Sequence, residues 1–235
     1  RLCPWGAGVL QAWDRAMSLD YKLDRLTRGL RFNRFDRHFA WVGGATPEGA
    51  RAVLHPDVAG ALTIPADTPY PDVTRHHEHC ADWPDFKALS YLYARLYLLD
   101  GVLVKVDRAS MAVALEVRSP FLDTRMVDLA FSLPSKHSLA GGTTKAVVRR
   151  MLAKHVPAPI LSRPKKGFGI PLARWLRTDL RPLIQEYLDP RKLAREGIFN
   201  PAAVTTLVND HLSGRRNRRK ELFSLLVFEL WLARL

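Results

Sequence analysis

Apolar residues recur at helical spacing in two stretches of the chain. In the first forty residues, leucines return at three- and four-residue steps, at Leu19, Leu23, Leu26 and Leu30. This spacing predicts a helix with one apolar face. In the second stretch, Leu89–Leu103, apolar residues again fall at helical steps and tyrosines fill in around them. That pattern predicts a helix that is buried on most of its sides.

Prolines punctuate the region between these stretches, from Gly43 to Asp85, and no regular apolar period survives there. Proline interrupts helices and strands alike, so we predict a loop-rich connector with short helical pieces. The chain is therefore expected to have a loop-rich helical lead-in over residues 1–85 and a longer helical part over residues 86–235.

Capping signals divide the residues after the long apolar helix into separate helices. Asp107 has the residue type of an N-cap and predicts a helix that runs to about Val117. Pro120 disfavours a helical residue before it, so this helix should end there. Asp123 is predicted to cap the next helix, Thr124–Phe131.

Turn and cap residues also organise the rest of the chain. Gly141–Thr144 has the composition of a turn, and Thr144 is predicted to cap a helix over Lys145–His155. A basic, glycine-containing loop follows at Ser162–Pro171, and Leu172–Leu188 is predicted to be helical with a break near a proline.

The last two helices carry clear boundaries. Asn200 and Pro201 form a cap followed by a first-position proline, and Gly214 stands where that helix should end. The final helix is predicted from about Lys220 to the end of the chain. Because no alternating strand pattern stands out, we predict that this chain is mainly α.

Composition adds bounds on the kind of protein. The chain has 235 residues, 47% of them apolar, and no apolar run approaches the roughly 18 residues that a membrane span needs. Two distant cysteines, Cys3 and Cys80, make neither a disulfide framework nor a zinc motif, which favours a cytoplasmic protein. The chain begins Arg1-Leu2 without an initiator methionine, so we expect an incomplete N-terminus.

The formal net charge of +13 favours anionic partners such as nucleotide phosphates or nucleic acid. The densest basic run, Arg215–Lys220, has two interpretations: a solvated loop between helices or a nucleic-acid contact. A basic helical nucleic-acid-binding module therefore stays open as an alternative of another class, and an inactive scaffold as a third. A membrane partner is not expected, and a homodimer is compatible with the sequence.

Three motifs carry the most specific signal. Leu103–Met111 reads L-x-K-x-D-R-x-S-M, Leu115–Asp123 reads L-E-x-R-x-P-F-L-D, and Arg163–Pro171 reads R-P-K-x-G-F-x-x-P. Together they resemble the C-terminal part of the glutamine-hydrolysing asparagine synthetases. The resemblance covers residues 91–177 well and continues weakly through 196–199 and 228–231.

That resemblance implies a fold and an activity. The chain would be the C-terminal helical part of an α/β adenine-nucleotide alpha-hydrolase-like (Rossmann-like) synthetase domain. Family members activate the side-chain carboxylate of aspartate with ATP and Mg²⁺, and ammonia released from glutamine attacks the acyl-adenylate. The pyrophosphate loop and the N-terminal glutaminase domain of the family are absent from this sequence, so the chain alone is expected to be inactive. Segments near the end resemble a bacterial subgroup that amidates acceptors other than aspartate, in surface polysaccharide or secondary metabolism.

The resemblance also implies site residues. Lys165 matches the family lysine that contacts phosphate and the reacting intermediate, and is the candidate catalytic residue. Arg118 would lie near substrate or pyrophosphate, although an ion pair with Glu116 or Asp123 is an equal alternative. The further candidate contacts to ATP, pyrophosphate or substrate are Lys105, Asp107, Arg108 and Arg163.

Two weaker patterns predict little by themselves. His76-His77-Glu78-His79-Cys80 has metal-binding residue types but no second ligand cluster completes it, so no metal site is predicted. The stretch from Gly141 to Lys145 has the residue types of a phosphate loop but not the spacing of one, and a helix cap explains it.

Overall fold

A computed structural model describes Leu23 and residues 26–62, 69–164 and 169–235. Within these residues the chain is mainly helical, with one short two-stranded hairpin, so the prediction of a mainly α chain is confirmed. The chain divides into two compact units. The first unit is Arg1–Pro71 with Phe168–Leu235, and the second is Asp72–Gly167. No described helix is both long enough and apolar enough to cross a bilayer.

Short helices that start at prolines lie in the described part of the predicted connector. After α1 (Asp36–Val42), helices α2 (Pro47–Val53) and α3 (Pro56–Ala61) each begin with a proline. At this first helical position an N–H would have no partner within the helix, so proline loses no hydrogen bond there. Thr46 caps α2, because its side-chain oxygen accepts the N–H of Gly49 at 3.2 Å.

The leucine face predicted over residues 19–30 lies partly outside the described residues, because Leu19 is not among them. The described leucines, Leu23, Leu26 and Leu30, are each about half exposed. They therefore add no buried face to the first unit.

The core of the first unit is formed by its C-terminal helices. These are α11 (Leu172–Trp175), α12 (Arg181–Tyr187), α13 (Pro190–Glu196), α14 (Pro201–Leu212) and α15 (Arg219–Leu232). Their buried apolar side chains form one cluster, which consists of Leu176, Ile184, Leu188, Leu193, Phe199, Val204, Leu222, Leu225 and Leu226.

The predicted boundaries of these helices are largely confirmed. The helix predicted over Leu172–Leu188 is broken at residues 176–180, just before Pro182 in the first turn of α12, so the break predicted near that proline is confirmed. The side-chain oxygen of Asn200 accepts the N–H groups of Ala202 and Ala203 at 3.0 and 3.2 Å. Gly214 has a φ of 78°, a left-handed conformation that suits the residue after a helix.

Replacing Asn200 with alanine should lower the free energy of unfolding by about 1 kcal/mol, because two N–H groups lose their acceptor. The measurement is the midpoint of urea unfolding. Asn209→Ala is the matched control, since Asn209 is exposed inside the same helix and alanine favours a helix interior. Equal midpoints for both variants would contradict the cap.

A continuous helical rod dominates the second unit, after α4 (Pro71–Glu78). It consists of α5 (Asp85–Tyr93), a π-helical segment (Ala94–Leu103) and α6 (Val104–Met111). The predicted N-cap at Asp107 is wrong, because Asp107 lies inside the first turns of α6 and the backbone before it is already helical.

The end of the rod also differs from the prediction. The helix expected to reach Val117 stops at Met111, and Ala114 has a left-handed φ of 54°. A left-handed residue ends a right-handed helix because the two conformations cannot share one hydrogen-bond ladder. The helix therefore ends well before Pro120, the residue that was predicted to end it.

The prediction that the rod is buried on most sides is wrong for its second half. Leu92 is completely buried, whereas Tyr97 and Leu99 are 45% and 41% exposed. A π-helix bonds residue i to i+5 instead of i+4. Apolar residues that are spaced for an α-helix therefore drift around the axis within Ala94–Leu103 and do not share one face.

The remaining elements of the second unit are short. They are a 3-10 turn (Pro120–Leu122), α7 (Thr124–Ser132), α8 (Ser135–Ser138), β1 (Leu139–Ala140), β2 (Thr143–Thr144), α9 (Ala146–Leu152) and α10 (Ala158–Leu161). The cap at Asp123 is confirmed, since its carboxylate accepts the N–H of Arg125 at 3.0 Å.

The predicted cap at Thr144 is wrong. Thr144 pairs with Leu139 in the β1–β2 hairpin, and both residues of the connecting turn, Gly141 and Gly142, have positive φ angles. Such a turn matches the twist of a two-residue hairpin. The residue before α9 is Lys145, which is left-handed with a φ of 58° and makes no side-chain cap bond.

Candidate functional site

Helix α6 presents three of the predicted site residues on its surface. Lys105, Asp107 and Arg108 are all exposed. Lys105 and Arg108 are three residues apart and therefore lie on one face, while Asp107 is turned to a neighbouring face. Neither cation has an ion-pair partner among the described residues, so both positive charges are available to a ligand.

Arg118 makes the ion pair that was one of its two predicted roles. Its Nε lies 2.8 Å from Oε1 of Glu116, and its Nη2 contacts the same oxygen. Both side chains are strongly exposed, at 87% and 68%. An exposed pair contributes little to stability because water screens it, so this contact does not tie Arg118 to a structural role.

The third motif is described only at its two ends. Arg163 is exposed, in the turn that follows α10. The candidate catalytic residue, Lys165, lies outside the described residues, as do the three that follow it. Just before the motif, Arg149 of α9 donates from Nη1 to the carbonyl oxygen of Leu161 at 2.7 Å.

The described contacts do not join the predicted site residues to one another. Among residues 69–164, no hydrogen bond or ion pair joins any two of the five described site side chains. The five share a feature instead, which is that each projects from the surface of the second unit. They are Lys105, Asp107, Arg108, Arg118 and Arg163.

Several large apolar side chains of the second unit, in the same stretch of sequence as the site residues, are also exposed. Val113 is 75% exposed, and several others exceed half exposure. We call this set the apolar surface; it consists of Val104, Met111, Val113, Leu115, Val117, Phe121 and Leu129. Large exposed apolar surfaces mark places where another protein surface packs.

Cations of the basic run Arg215–Lys220 make contacts with other residues of the first unit. The Nε of Arg215 lies 2.7 Å from the buried carboxylate of Asp210, and Arg218 contacts the same group at 3.6 Å. The hydrogen bond from Arg215 lowers the pKa of Asp210. Lys220 donates to the carbonyl of Val42 at 2.6 Å. Arg215 and Arg216 are nevertheless exposed, as the interpretation of a solvated loop between helices predicts, whereas Arg218, Arg219 and Lys220 are partly or fully buried.

The histidine cluster makes contacts within the protein. Nδ1 of His76 lies 3.3 Å from the hydroxyl of Tyr91, and Nδ1 of His79 lies 3.0 Å from the carbonyl of Arg75. Across the part of the chain that the structure describes, no three His, Cys, Asp or Glu side chains come together as metal ligands.

His211 makes a buried contact that the sequence did not indicate. The side chain is completely buried in α14. Its Nε2 lies 3.0 Å from the carbonyl oxygen of Ala173, and its Nδ1 accepts the backbone N–H of Arg218 at 3.1 Å. Because a carbonyl only accepts and an N–H only donates, these partners place the proton on Nε2. Burial lowers the pKa of His211 to about 4, so the ring is neutral at neutral pH.

The sequence also did not indicate a buried cluster of charged side chains. Nζ of Lys192 lies 2.6 Å from Glu196 and contacts Glu229, whose side chain is completely buried. Burial raises the pKa of Glu229 although Lys192 opposes the shift. For Lys192, burial lowers the pKa, but the hydrogen bonds to the two carboxylates outweigh it and the pKa is raised.

Comparison with known proteins identifies related sequences. The family model described as "Asparagine synthase" matches residues 11–233. "Asparagine synthetase [glutamine-hydrolyzing] 1" of Bacillus subtilis is 26% identical over 163 residues, which is 69% of this chain and 26% of that protein. A "Putative asparagine synthetase [glutamine-hydrolyzing]" of Mycobacterium tuberculosis is 33% identical over 166 residues, or 70% of this chain and 25% of that protein.

Matches extend to animals over a shorter region. The human "Asparagine synthetase [glutamine-hydrolyzing]" is 32% identical over 101 residues, which is 42% of this chain and 18% of that protein. No solved structure matches the chain. The chain spans about a quarter of the length of the bacterial relatives it matches.

Proposed function

Since this chain belongs to the asparagine synthase family, which uses ATP, we propose that it supplies the helical, cation-bearing part of the ATP site in a glutamine-dependent amidotransferase ligase. In the proposed reaction, a carboxylate oxygen of the acceptor attacks the α-phosphorus of ATP and the bond to pyrophosphate breaks. The nitrogen lone pair of ammonia then attacks the acyl carbon, and AMP leaves with the electrons of the carbon–oxygen bond. A separate glutaminase domain of the full-length protein supplies the ammonia.

The exposed cations of the second unit carry this proposal. Lys105 and Arg108 share a face of α6 without ion-pair partners among the described residues. Like charges three residues apart destabilise a helix slightly, and an anion bound between them would offset this repulsion. Adenylation builds negative charge on the α-phosphate and on the departing pyrophosphate, and fixed cations that meet that charge lower the barrier.

Arg118, Arg163 and Lys165 complete the proposed set of positive charges. The exposed ion pair of Arg118 with Glu116 exchanges readily for a phosphate or a substrate carboxylate, since a bidentate contact to either suits a guanidinium group. Arg163 is two residues before Lys165, which is the proposed catalytic lysine. Asp107 is proposed to contact the bound nucleotide or acceptor from the neighbouring face of α6.

The apolar surface supports the proposed placement within a larger synthetase domain. An exposed set of valines, leucines and a phenylalanine needs an apolar cover, and an α/β nucleotide-binding sheet would provide one. We propose that the apolar surface packs on that part of the full-length protein. The proposal agrees with a chain that spans about a quarter of its relatives.

Magnesium enters this proposal only through the family. A magnesium ion bound with nucleotide uses phosphate oxygens, water and one or two carboxylates. The described residues bring no set of three metal-ligating side chains together, so they do not form a complete site for the ion. We therefore derive no step through it.

The full-length protein with ATP, glutamine and a panel of carboxylic acids tests the proposal. Each amide formed should be matched by one AMP and one pyrophosphate, and both should depend on the acceptor. Aspartate as the preferred substrate would identify an asparagine synthetase, whereas another acid would identify the alternative acceptor. Formation of ADP and inorganic phosphate in place of AMP and pyrophosphate would contradict adenylation.

Replacing Arg108 with glutamine should raise the KM for ATP by roughly tenfold, because a hydrogen bond to a charged group contributes about 1.5–3 kcal/mol. Steady-state kinetics of pyrophosphate release provide the measurement. Arg125→Gln is the matched control, since Arg125 is an exposed arginine of the same unit whose side chain pairs with Asp123. A KM that changes equally in both variants would show a general effect of charge instead of a nucleotide contact.

A further inference from the structure

Two glutamates of the first unit bind the same ammonium group. Nζ of Lys192 donates to Oε1 of Glu196 at 2.6 Å and to Oε2 of Glu229. Lys192 and Glu196 lie one turn apart on α13, whereas Glu229 belongs to α15. Because a single nitrogen contacts one oxygen of each side chain, the two carboxyl groups lie side by side between these helices.

The second oxygen of each carboxyl group is buried without a donor. Among the described residues, no hydrogen-bond partner reaches Oε2 of Glu196 or Oε1 of Glu229. The side chain of Glu229 is completely buried, and that of Glu196 is only 25% exposed. A buried polar atom that makes no hydrogen bond destabilises a fold, so both oxygens call for a donor at this place.

The charges of the three side chains do not balance when both glutamates are ionised. Lys192 then brings one positive charge against two negative ones. Within the part of the chain that the structure describes, no other cation pairs with either carboxylate. The nearest group from α12 is the ring of Tyr187, whose centre lies 5.8 Å from Nζ of Lys192.

The titration of Glu229 agrees with this imbalance. Burial raises the pKa of Glu229, Lys192 opposes the shift, and Glu196 raises the pKa further. Two carboxylates that share one buried site repel each other, so one of them is ionised only with difficulty. A single proton between them would remove the excess negative charge and also provide the missing hydrogen bond.

We propose that Glu196 and Glu229 share one proton in the folded protein at pH 6, where an exposed glutamate is ionised. The pair takes this proton from the solvent as the chain folds. The proton is bonded to one of the two free oxygens and donated to the other, so both oxygens are satisfied and the cluster with Lys192 is neutral. Because loss of the proton leaves an unpaired buried charge, the contact between α13 and α15 weakens as pH rises.

Infrared spectroscopy of the full-length protein at pH 6 tests this inference without any turnover, and therefore independently of the proposed function. A protonated carboxylic acid has a C=O stretching band that a carboxylate lacks, and the band shifts in D₂O. Difference spectra between the wild type and a variant cancel the other carboxyl groups of the protein. We expect the wild type to show the band of one carboxylic acid that is lost when the pair is broken.

Two variants distinguish a shared proton from a proton held by Glu229 alone. Glutamine keeps the shape of glutamate and provides an N–H donor where the proton would be. Both Glu229→Gln and Glu196→Gln leave Lys192 opposite a single carboxylate, so neither variant needs the proton. We therefore expect the band to disappear in each of them. Loss of the band in Glu229→Gln with retention in Glu196→Gln would overturn the sharing, because burial alone would then hold the proton.

Glu221→Gln is the matched control on the same helix. Glu221 pairs with Arg28 and Arg218, so its carboxylate already has cationic partners and this variant should keep the band. Equal spectra of the wild type and both pair variants would overturn the proposal, and this is the result expected if a buried water bridges two ionised carboxylates.

The wild type also tests the proposal if a pair variant fails to fold. Thermal unfolding at pH 6 exposes both glutamates to water, where they ionise, so the carboxylic acid band should disappear on unfolding. A band of the same intensity before and after unfolding would contradict a proton that is bound by the folded pair.

Discussion

Replacing Lys165 with alanine in the full-length protein is expected to lower acceptor-dependent pyrophosphate release by about two to three orders of magnitude. The ammonium group is proposed to meet charge that develops on the phosphates, and removing one such donor from a preorganised site costs about 10²–10³ in kcat. Because the interaction is strongest in the transition state, the KM for ATP should change much less than kcat.

The neighbouring lysine provides the control for this experiment. Lys166→Ala removes the same charge one residue later in the same loop and should leave kcat within about threefold. Similar losses in both variants would indicate that the loop needs positive charge in general. Full turnover by the Lys165 variant would remove Lys165 from the mechanism.

Replacing Lys192 with methionine is expected to lower the free energy of unfolding by about 2–3 kcal/mol at pH 8. Removing one partner of a buried pair typically costs about 3–5 kcal/mol, and we take a smaller value because Lys192 is 23% exposed. The loss arises from the carboxylate of Glu229, which stays completely buried without its cation. Urea unfolding at a series of pH values provides the measurement.

The sign of the pH dependence identifies the cause. The pKa of Glu229 is raised in the folded state, so between 4.5 and that pKa the folded chain holds more protons than the unfolded chain. Stability from this group is therefore greatest at low pH and falls as pH rises through the folded pKa. Loss of Lys192 removes the contact that opposes the raised pKa of Glu229. The free energy of unfolding of the variant should therefore fall less at pH 5 than at pH 8.

Two further variants control this result. Lys192→Met combined with Glu229→Gln should recover much of the loss, because no buried charge remains unpaired. Lys154→Met, an exposed lysine of the second unit, should change stability by less than about 0.5 kcal/mol. An equal loss at pH 5 and pH 8 would instead point to packing of the Lys192 side chain.

Local signals predicted the fold well wherever the cause of structure is itself local. Asp123 and Asn200 cap helices because each side chain reaches N–H groups two or three residues away. The prolines of α2 and α3 start helices for the same kind of reason. Such contacts need nothing from the rest of the chain, so the sequence is sufficient to predict them.

The failures occur where another part of the chain decides the outcome. Thr144 has a good residue type for a cap, but pairing with Leu139 takes it into a strand. Asp107 also has a suitable type, yet the rod before it is already helical. In the rod, the π-helical bonding of Ala94–Leu103 changes the number of residues per turn, which no count of apolar positions reveals.

The candidate site shows the same division. The motifs predict which side chains form the site, which stays a prediction, and the structure places Lys105 and Arg108 on one exposed face. The buried contacts were missed because their partners are distant in sequence. His211 and Ala173 are 38 residues apart, and Lys192 and Glu229 are 37 residues apart. Periodicity and spacing describe neighbours along the chain and have no means of pairing such residues.

Cys80 provides a built-in reporter on the second unit. Its thiol is 1% exposed, lies 3.6 Å from the carbonyl of His76, and has a pKa raised by burial. A maleimide reacts with an exposed thiolate, so with Cys3 changed to serine, labelling of Cys80 must wait until the segment around it opens. The labelling rate would thus give the opening free energy of this segment, with and without nucleotide, and no dye or spin label would have to be engineered into the protein.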